Sequence, residues 1–142
     1  MDKMHGYSAP EVASGGPRGD SAHAFLLGCV FLEMFVVLTG TATLERARSC
    51  RNTAGNRSYQ ANLEKVRALI NELLVDQRMV ELCPWSMDIL TVIKAMLGRE
   101  PELRPQAADV WRLVVLLTTD AGGLSKVKAN ICGKCCLENL VV

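Results

Sequence analysis

The order of apolar and polar positions divides the chain into helices joined by polar connections. Residues 1–20 contain many Gly, Pro and Ser residues and predict a loop. Residues 21–38 are hydrophobic all round, which is typical of a helix surrounded by protein. Gly40 suits the left-handed position after a helix. Residues 41–58 are polar and basic and predict an exposed, mobile connection.

Three later segments have the periodicity of amphipathic helices. In residues 62–74, apolar side chains recur at i, i+3, i+7 and i+10: Leu63, Val66, Ile70 and Leu73. Residues 87–97 align Leu90, Ile93 and Leu97, and residues 106–118 align Ala107, Val110, Val114 and Leu117. Asn62 and Ser86 are predicted N-caps. No segment shows the alternation of a strand, so we predict an all-α fold with a helical core over 21–118 and a tail over 119–142.

Composition is that of an ordinary globular protein, with 49% hydrophobic and 22% charged residues in 142. The net charge of +1 gives no basis for predicting binding to nucleic acid or to an anionic membrane. The first six residues have no apolar stretch of the kind found in signal peptides, so we predict a cytoplasmic protein with reduced cysteines.

One segment, residues 24–38, is apolar enough to be mistaken for a membrane span. It is about 15 residues long, whereas a bilayer core needs roughly 20. It also carries Glu33, and an ionised carboxylate is costly at the centre of a bilayer. A buried core helix is therefore favoured over a membrane anchor.

Two clusters invite a ligand. Cys132, Cys135 and Cys136 resemble half of a zinc site, but a structural site needs four ligands, and both histidines are far away in sequence. Free thiols are favoured over zinc, with lipidation as a third alternative. The basic residues Arg46, Arg48, Arg51 and Arg57 could pair with a phosphate or an acidic partner. No aromatic residue is interleaved with them, and a solvated loop is favoured.

Three motifs together resemble the C-terminal lobe of eukaryotic-type serine/threonine protein kinases. The segment Tyr7-Ser8-Ala9-Pro10-Glu11 resembles the Y-x-A-P-E motif that closes the activation segment. The run GCVFLEM, residues 28–34, resembles the central hydrophobic helix of that lobe. Met96-Leu97 followed by PELRP, residues 101–105, resembles the M-L-x-x-x-P-x-x-R-P loop. The particular residues within these motifs are most similar to those of fungal kinase-like proteins.

The resemblance implies two groups of functional residues. Glu11 and Arg104 would form a buried ion pair that ties the activation segment to the helical lobe. Tyr7, Ala9 and Pro10 would belong to the region that contacts the substrate residue after the phosphorylation site. In the family that region also has a Thr where this chain has Met4, and the central helix opens with an Asp where this chain has His23.

The sequence lacks the family's catalytic motifs. It has no G-x-G-x-x-G loop, no V-A-I-K strand, no H-R-D-x-x-x-x-N loop and no D-F-G. We therefore nominate no catalytic residue, metal ligand or cofactor of its own, because ATP and magnesium would belong to the family only. The expectation is a truncated kinase domain, inactive alone, whose partner is a protein or the missing N-terminal kinase portion. The alternative is a non-catalytic binding or scaffold module.

If the N-terminal kinase portion is missing, apolar surface on the central helix should be exposed. The residues that we expect to contribute are Phe25, Val30, Phe31 or Phe35.

Overall fold

The structure is a computed structural model that describes residues 6–82 and 86–112. Within them the chain is helical, without a strand; an isolated bridge pairs Thr53 with Asn56. The helices are α1 (Pro10–Ala13), α2 (Asp20–Thr39), α3 (Thr41–Cys50), α4 (Leu63–Val75), α5 (Gln77–Leu82) and α6 (Ser86–Met96), followed by a 3₁₀ helix (Pro101–Leu103). These elements lie in one compact unit that extends to Gln106. Residues 107–112 belong to a second unit and are helical. The all-α prediction is confirmed.

Helix α2 is the central element, and it packs against α3, α6 and the 3₁₀ helix. One side of it is buried in the core through Ala22, Ala24, Phe25, Gly28, Cys29, Leu32, Phe35 and Val36. Its C-terminus is followed by Gly40, whose φ of 114° lies in the region that favours glycine. The predicted helix over 21–38 is therefore confirmed, with one residue more at each end.

The other side of α2 is exposed, which contradicts the prediction of a helix enclosed on all sides. The exposed apolar side chains are Leu26, Leu27, Val30, Met34, Val37 and Leu38. Phe25 and Phe35 are 0% and 2% exposed, so the expectation that they form exposed apolar surface was wrong. Val30 is exposed, and Phe31 is partly buried against the core. The sequence run is uniformly apolar, so periodicity could not separate the two faces.

Helix α2 has 20 residues and so extends beyond the 15-residue apolar segment, which makes it long enough to span a bilayer. By length and composition alone it could cross a bilayer. The most apolar 18-residue window of this helix is 44% buried inside the protein.

Helix α3 replaces the exposed connection predicted for residues 41–58. Leu44, Ala47 and Cys50, spaced three residues apart, pack against the core while the charged residues between them face outward. This stripe is short and has no large apolar residue after Leu44, so the polar composition hid it. A second unpredicted helix, α1, lies inside the segment predicted as a loop, and α5 lies between two predicted helices.

Helices α4 and α6 follow their predicted periodicity and pack against each other. The predicted core positions are all buried: Leu63, Val66, Ile70, Leu73, Leu90, Ile93 and Leu97. Arg67 on α4 donates to the backbone oxygens of Lys94 and Leu97 at the end of α6, which satisfies two carbonyls that the helix leaves without partners.

Asn62 occupies the N-cap position of α4, as predicted, but its side chain makes no cap hydrogen bond. It instead donates to the oxygens of Asn56 and Ser58 and accepts from the Thr53 hydroxyl, which ties down the preceding loop. Ser86 lies within α6 as its first residue. The predicted helix over 106–118 is described only to residue 112, and the cysteine-containing tail lies outside the described residues.

Gly28 marks the closest approach of α2 to α6. A Cβ atom added there would lie 2.8 Å from the Cβ atom of Met96 and 3.3 Å from Cδ2 of Leu97. The Leu97 atom is at the end of a side chain and can shift, but the Met96 Cβ atom is attached directly to the backbone of α6, so the two helices would have to separate. The close packing of α2 and α6 therefore explains why the GCVFLEM run has a glycine at this position.

We expect Gly28→Ala to lower the free energy of unfolding by about 1 kcal/mol or more in urea denaturation. Overpacking costs about 1–3 kcal/mol, and the better helix propensity of Ala returns less than about 1 kcal/mol. Val37→Ile adds a methyl group to the exposed side of the same helix and should change stability by less than about 0.5 kcal/mol. A Gly28→Ala protein as stable as the wild type would show that α2 and α6 are not in close contact.

Candidate functional site

A buried ion pair joins the N-terminal segment to the loop after α6. Arg104 Nη1 lies 2.6 Å from Glu11 Oε1 and Nη2 lies 2.9 Å from Oε2, so the guanidinium meets the carboxylate through two parallel hydrogen bonds. The Arg104 side chain is 0% exposed and that of Glu11 is 20% exposed. The two residues are 93 positions apart in sequence. The structure thus brings together the two residues that the resemblance paired.

Arg104 uses all five of its N–H donors. Besides its two bonds to Glu11, it donates to the backbone oxygens of Gly98, Ser21 and Arg99 at 2.8, 2.9 and 3.1 Å. Its guanidinium carbon also lies 5.0 Å from the centre of the Phe25 ring, within cation–π range. Lysine could not reproduce this planar set of donors. The arginine therefore joins α1, the start of α2 and the loop that follows α6.

The hydrogen bonds from Arg104 hold the pKa of the Glu11 carboxyl below its ordinary value, against the opposing effect of burial. The folded protein therefore keeps this carboxylate ionised to lower pH than the unfolded chain does. Removing one partner of such a buried pair costs on the order of 3–5 kcal/mol because the other charge is left uncompensated.

A second cluster fixes the beginning of the same segment. The hydroxyl of Tyr7 donates to the Glu33 carboxylate on α2, with both oxygens at 3.0 Å. Glu33 also accepts from Arg51 at 2.9 Å and from the Tyr59 hydroxyl at 3.2 Å. The backbone N–H of Tyr59 donates to the oxygen of Gly6 at 2.8 Å. Both ends of the Tyr7–Glu11 stretch are thereby attached to the helical core.

Cation–π and aromatic contacts add to the hydrogen bonds within this cluster. The guanidinium carbon of Arg51 lies 4.2 Å from the centre of the Tyr59 ring, and the Tyr7 and Tyr59 rings are 5.7 Å apart. Burial raises the pKa of both tyrosines, and the neighbouring Glu33 carboxylate adds to the effect. Both hydroxyls therefore remain protonated donors to Glu33 at neutral pH.

This cluster is not predicted by the sequence. Glu33 was noted as a carboxylate within an apolar helix, and that is the signal that could have predicted a polar partner for it. Arg51 was placed in a solvated cluster, whereas it contacts Glu33 and Tyr59. No spacing rule connects residues from three separate parts of the chain.

The other predicted residues of the segment lie between the two attachments. Ala9 is 2% exposed, and Pro10 is the first residue of α1, where its missing N–H needs no partner. A cleft of about 120 Å³ opens beside them, with a mixed polar and apolar lining of Tyr7, Ser8, Ala9, Val12, Arg18, Ala22, His23 and Leu26. His23 is exposed at this cleft. The segment thus presents a small cleft at the surface.

In the described part of the chain, no group of three or more His, Cys, Asp or Glu side chains could hold a metal ion. Cys29 is buried and Cys50 partly buried, and burial raises the pKa of both thiols, so neither is a reactive thiolate. The zinc alternative for Cys132, Cys135 and Cys136 concerns residues outside the described ranges.

Comparison with known proteins gives no relative. No protein-family model, no curated protein and no solved structure matches this chain.

We expect the contribution of Glu11 to stability to depend on pH. The folded pKa is lowered, so the ionised carboxylate stabilises the folded protein above the unfolded pKa of about 4.3, and this stabilisation is lost as pH falls through the folded pKa. Urea denaturation from pH 7 to pH 3 should therefore show Glu11→Gln well below the wild type at neutral pH. The difference should shrink below about pH 4.

The matched control is Glu102→Gln, which removes an exposed carboxylate close in sequence to Arg104. It should differ from the wild type by less than about 0.5 kcal/mol at neutral pH. A difference between Glu11→Gln and the wild type that stays constant down to pH 3 would contradict this account.

Proposed function

We propose that residues 7–104 are the helical scaffold of a protein kinase-type C-terminal lobe, and that this scaffold docks a protein segment. The observation that carries the proposal is the bidentate Glu11–Arg104 pair. The kinase resemblance predicts this contact between residues of two separate motifs. A charged pair with one fully buried partner is costly to form without such geometry, so it is an unusual contact to arise from surface residues alone.

The GCVFLEM motif supports the same proposal. The resemblance places residues 28–34 on the central hydrophobic helix of the lobe, and α2 is the helix that the other elements surround on one side. Gly28 lies where α6 comes nearest, and Glu33 holds the Tyr7 hydroxyl. The three motifs thus meet around α2.

The docking surface that we propose is the cleft beside Tyr7 and Ala9. The lining combines apolar side chains, Val12 and Leu26, with the polar groups of Ser8 and His23. An extended peptide could place one apolar side chain in the cleft while its backbone forms hydrogen bonds with the polar groups at the rim. In the kinase family the corresponding segment contacts the residue after the phosphorylated one.

Phosphoryl transfer is not part of the role that we propose for these residues. The family positions ATP and magnesium with a glycine-rich loop, a lysine, a catalytic aspartate and a D-F-G aspartate, and this sequence contains none of those motifs. The scaffold therefore supplies recognition, and no residue of it is assigned to catalysis.

A second candidate function is favoured by the exposed apolar side of α2. In the kinase family, the earlier part of the C-terminal lobe packs on the central helix, and here Val30, Met34 and Val37 are 37%, 55% and 62% exposed. A serine/threonine kinase domain completed by those elements would cover this side. Under this candidate, the chain contributes the substrate-docking half of an enzyme.

We expect Leu26→Asp to weaken peptide docking. The probe is a fluorescein-labelled positional library of decapeptides with a central Ser or Thr, and the readout is fluorescence anisotropy. Leu26 lines the cleft, so a carboxylate there should reduce the affinity of the bound peptides by about tenfold. Leu38→Asp introduces the same charge at a 74% exposed position of α2 and should leave binding unchanged. Equal losses in the two variants, at equal melting temperatures, would refute docking in this cleft.

We also expect millimolar Mg-ATP to leave the melting temperature of the chain unchanged. A ligand present at about 100 times its dissociation constant stabilises the folded state by about 2.7 kcal/mol, which corresponds to several degrees for a protein of this size. Differential scanning calorimetry with and without Mg-ATP measures this directly, and magnesium chloride alone is the control. A rise of several degrees with Mg-ATP would contradict the absence of a nucleotide site.

A further inference from the structure

A second cleft lies at the end of α3, and its lining is strongly basic. It has a volume of about 370 Å³ and is lined, among the described residues, by Arg48, Ser49, Arg51, Asn52 and Arg57. None of these described lining residues carries a carboxylate. Three guanidinium groups that share one concavity form a local excess of positive charge in a protein whose net charge is only +1.

The three arginines are not equivalent. Arg51 is fixed by the Glu33 carboxylate at 2.9 Å and by the Tyr59 ring beneath it. Arg48 and Arg57 are exposed, and in the described part of the chain neither has a carboxylate within 4.0 Å. Arg46, the fourth member of the basic cluster, lies outside this cleft and pairs with Glu72 on α4. Arg51 is therefore paired with a carboxylate, whereas Arg48 and Arg57 are unpaired within the described residues.

A simpler explanation accounts for only part of this arrangement. Arg48 lies in the last turn of α3, where a positive charge is favoured by the helix dipole. That reason does not extend to Arg57, which follows the turn at Gly55, seven residues after the helix ends at Cys50. Arg57 nevertheless lines the same cleft. Arg48 and Arg57 thus bring two unpaired positive charges from separate segments to one cleft, where a single anion would lie beside both.

The donors in the lining suit a phosphoryl group. Guanidinium groups bind the oxygens of phosphate through paired, charge-assisted hydrogen bonds. The hydroxyl of Ser49 and the amide of Asn52 add neutral donors at the same cleft. The described lining contains no aromatic side chain on which a nucleobase could stack, which disfavours a nucleotide or a single-stranded nucleic acid.

We propose that this cleft binds the phosphoryl group of a phosphorylated serine or threonine carried by another protein. Arg48 and Arg57 contact the phosphate oxygens, and Arg51, whose charge is paired with Glu33, lies beside them in a fixed position. The cleft is open to the surface, so a side chain that projects from a peptide can enter it. The proposal does not depend on the kinase-type function, because the cleft beside Tyr7 and Ala9 has a different lining.

The experiment uses fluorescence anisotropy with a labelled library of decapeptides that carry a central phosphoserine between degenerate flanks. The unphosphorylated library is the first comparison, and inorganic phosphate is the competitor. The double variant Arg48→Gln/Arg57→Gln removes the two unpaired charges. The matched control, Arg78→Gln/Arg99→Gln, removes two exposed arginines outside the cleft and has the same net charge.

Several outcomes decide the proposal. We expect the phosphorylated library to bind at least about tenfold more tightly than the unphosphorylated one, and the cleft variant to lose that advantage. The control should retain it to within about twofold at the same salt concentration. Equal losses in both double variants would show a nonspecific charge effect and would overturn the proposal. Inorganic phosphate that binds as tightly as the phosphopeptides would also overturn it, by assigning the cleft to the free ion.

Discussion

The bidentate contact between Glu11 and Arg104 is the interaction on which the arrangement of the N-terminal segment depends. It joins residues 93 positions apart, and the same guanidinium also holds carbonyls from the start of α2 and from the loop after α6. Every donor of Arg104 is used, so the charge is compensated although the side chain is fully buried. No comparable link within the described residues connects α1 to the rest of the core by side-chain hydrogen bonds.

The two sides of helix α2 have different roles, one in the core and the other at the surface. Its buried side forms the core with α3 and α6, and Gly28 allows the close approach of α6. Its exposed side leaves large apolar side chains at the surface, and Leu26 there lines the small cleft beside Tyr7. Glu33, between the two sides, binds Tyr7 directly and also holds Arg51 at the basic cleft. One carboxylate thus connects both candidate sites to the central helix.

The sequence predicted those parts of the fold that a single periodic stripe specifies. Helix α4 was found because its apolar residues are large and regularly spaced. Helix α3 was missed because Leu44 is the one large apolar residue of its stripe, and in α2 uniform hydrophobicity concealed the exposed side. The pairing of Glu11 with Arg104 came from motif resemblance. The contacts of Glu33 with Tyr7, Arg51 and Tyr59 join three separate segments that no local pattern relates.

A double-mutant cycle on Glu11 and Arg104 tests the central claim most directly. The free energies of unfolding of the wild type, Glu11→Gln, Arg104→Gln and the double variant give the coupling energy between the two side chains. The account predicts a coupling of about 1.5–3 kcal/mol, against less than about 0.5 kcal/mol for the exposed pair of Glu64 and Arg99. A coupling between Glu11 and Arg104 no larger than that of the exposed pair would contradict the account.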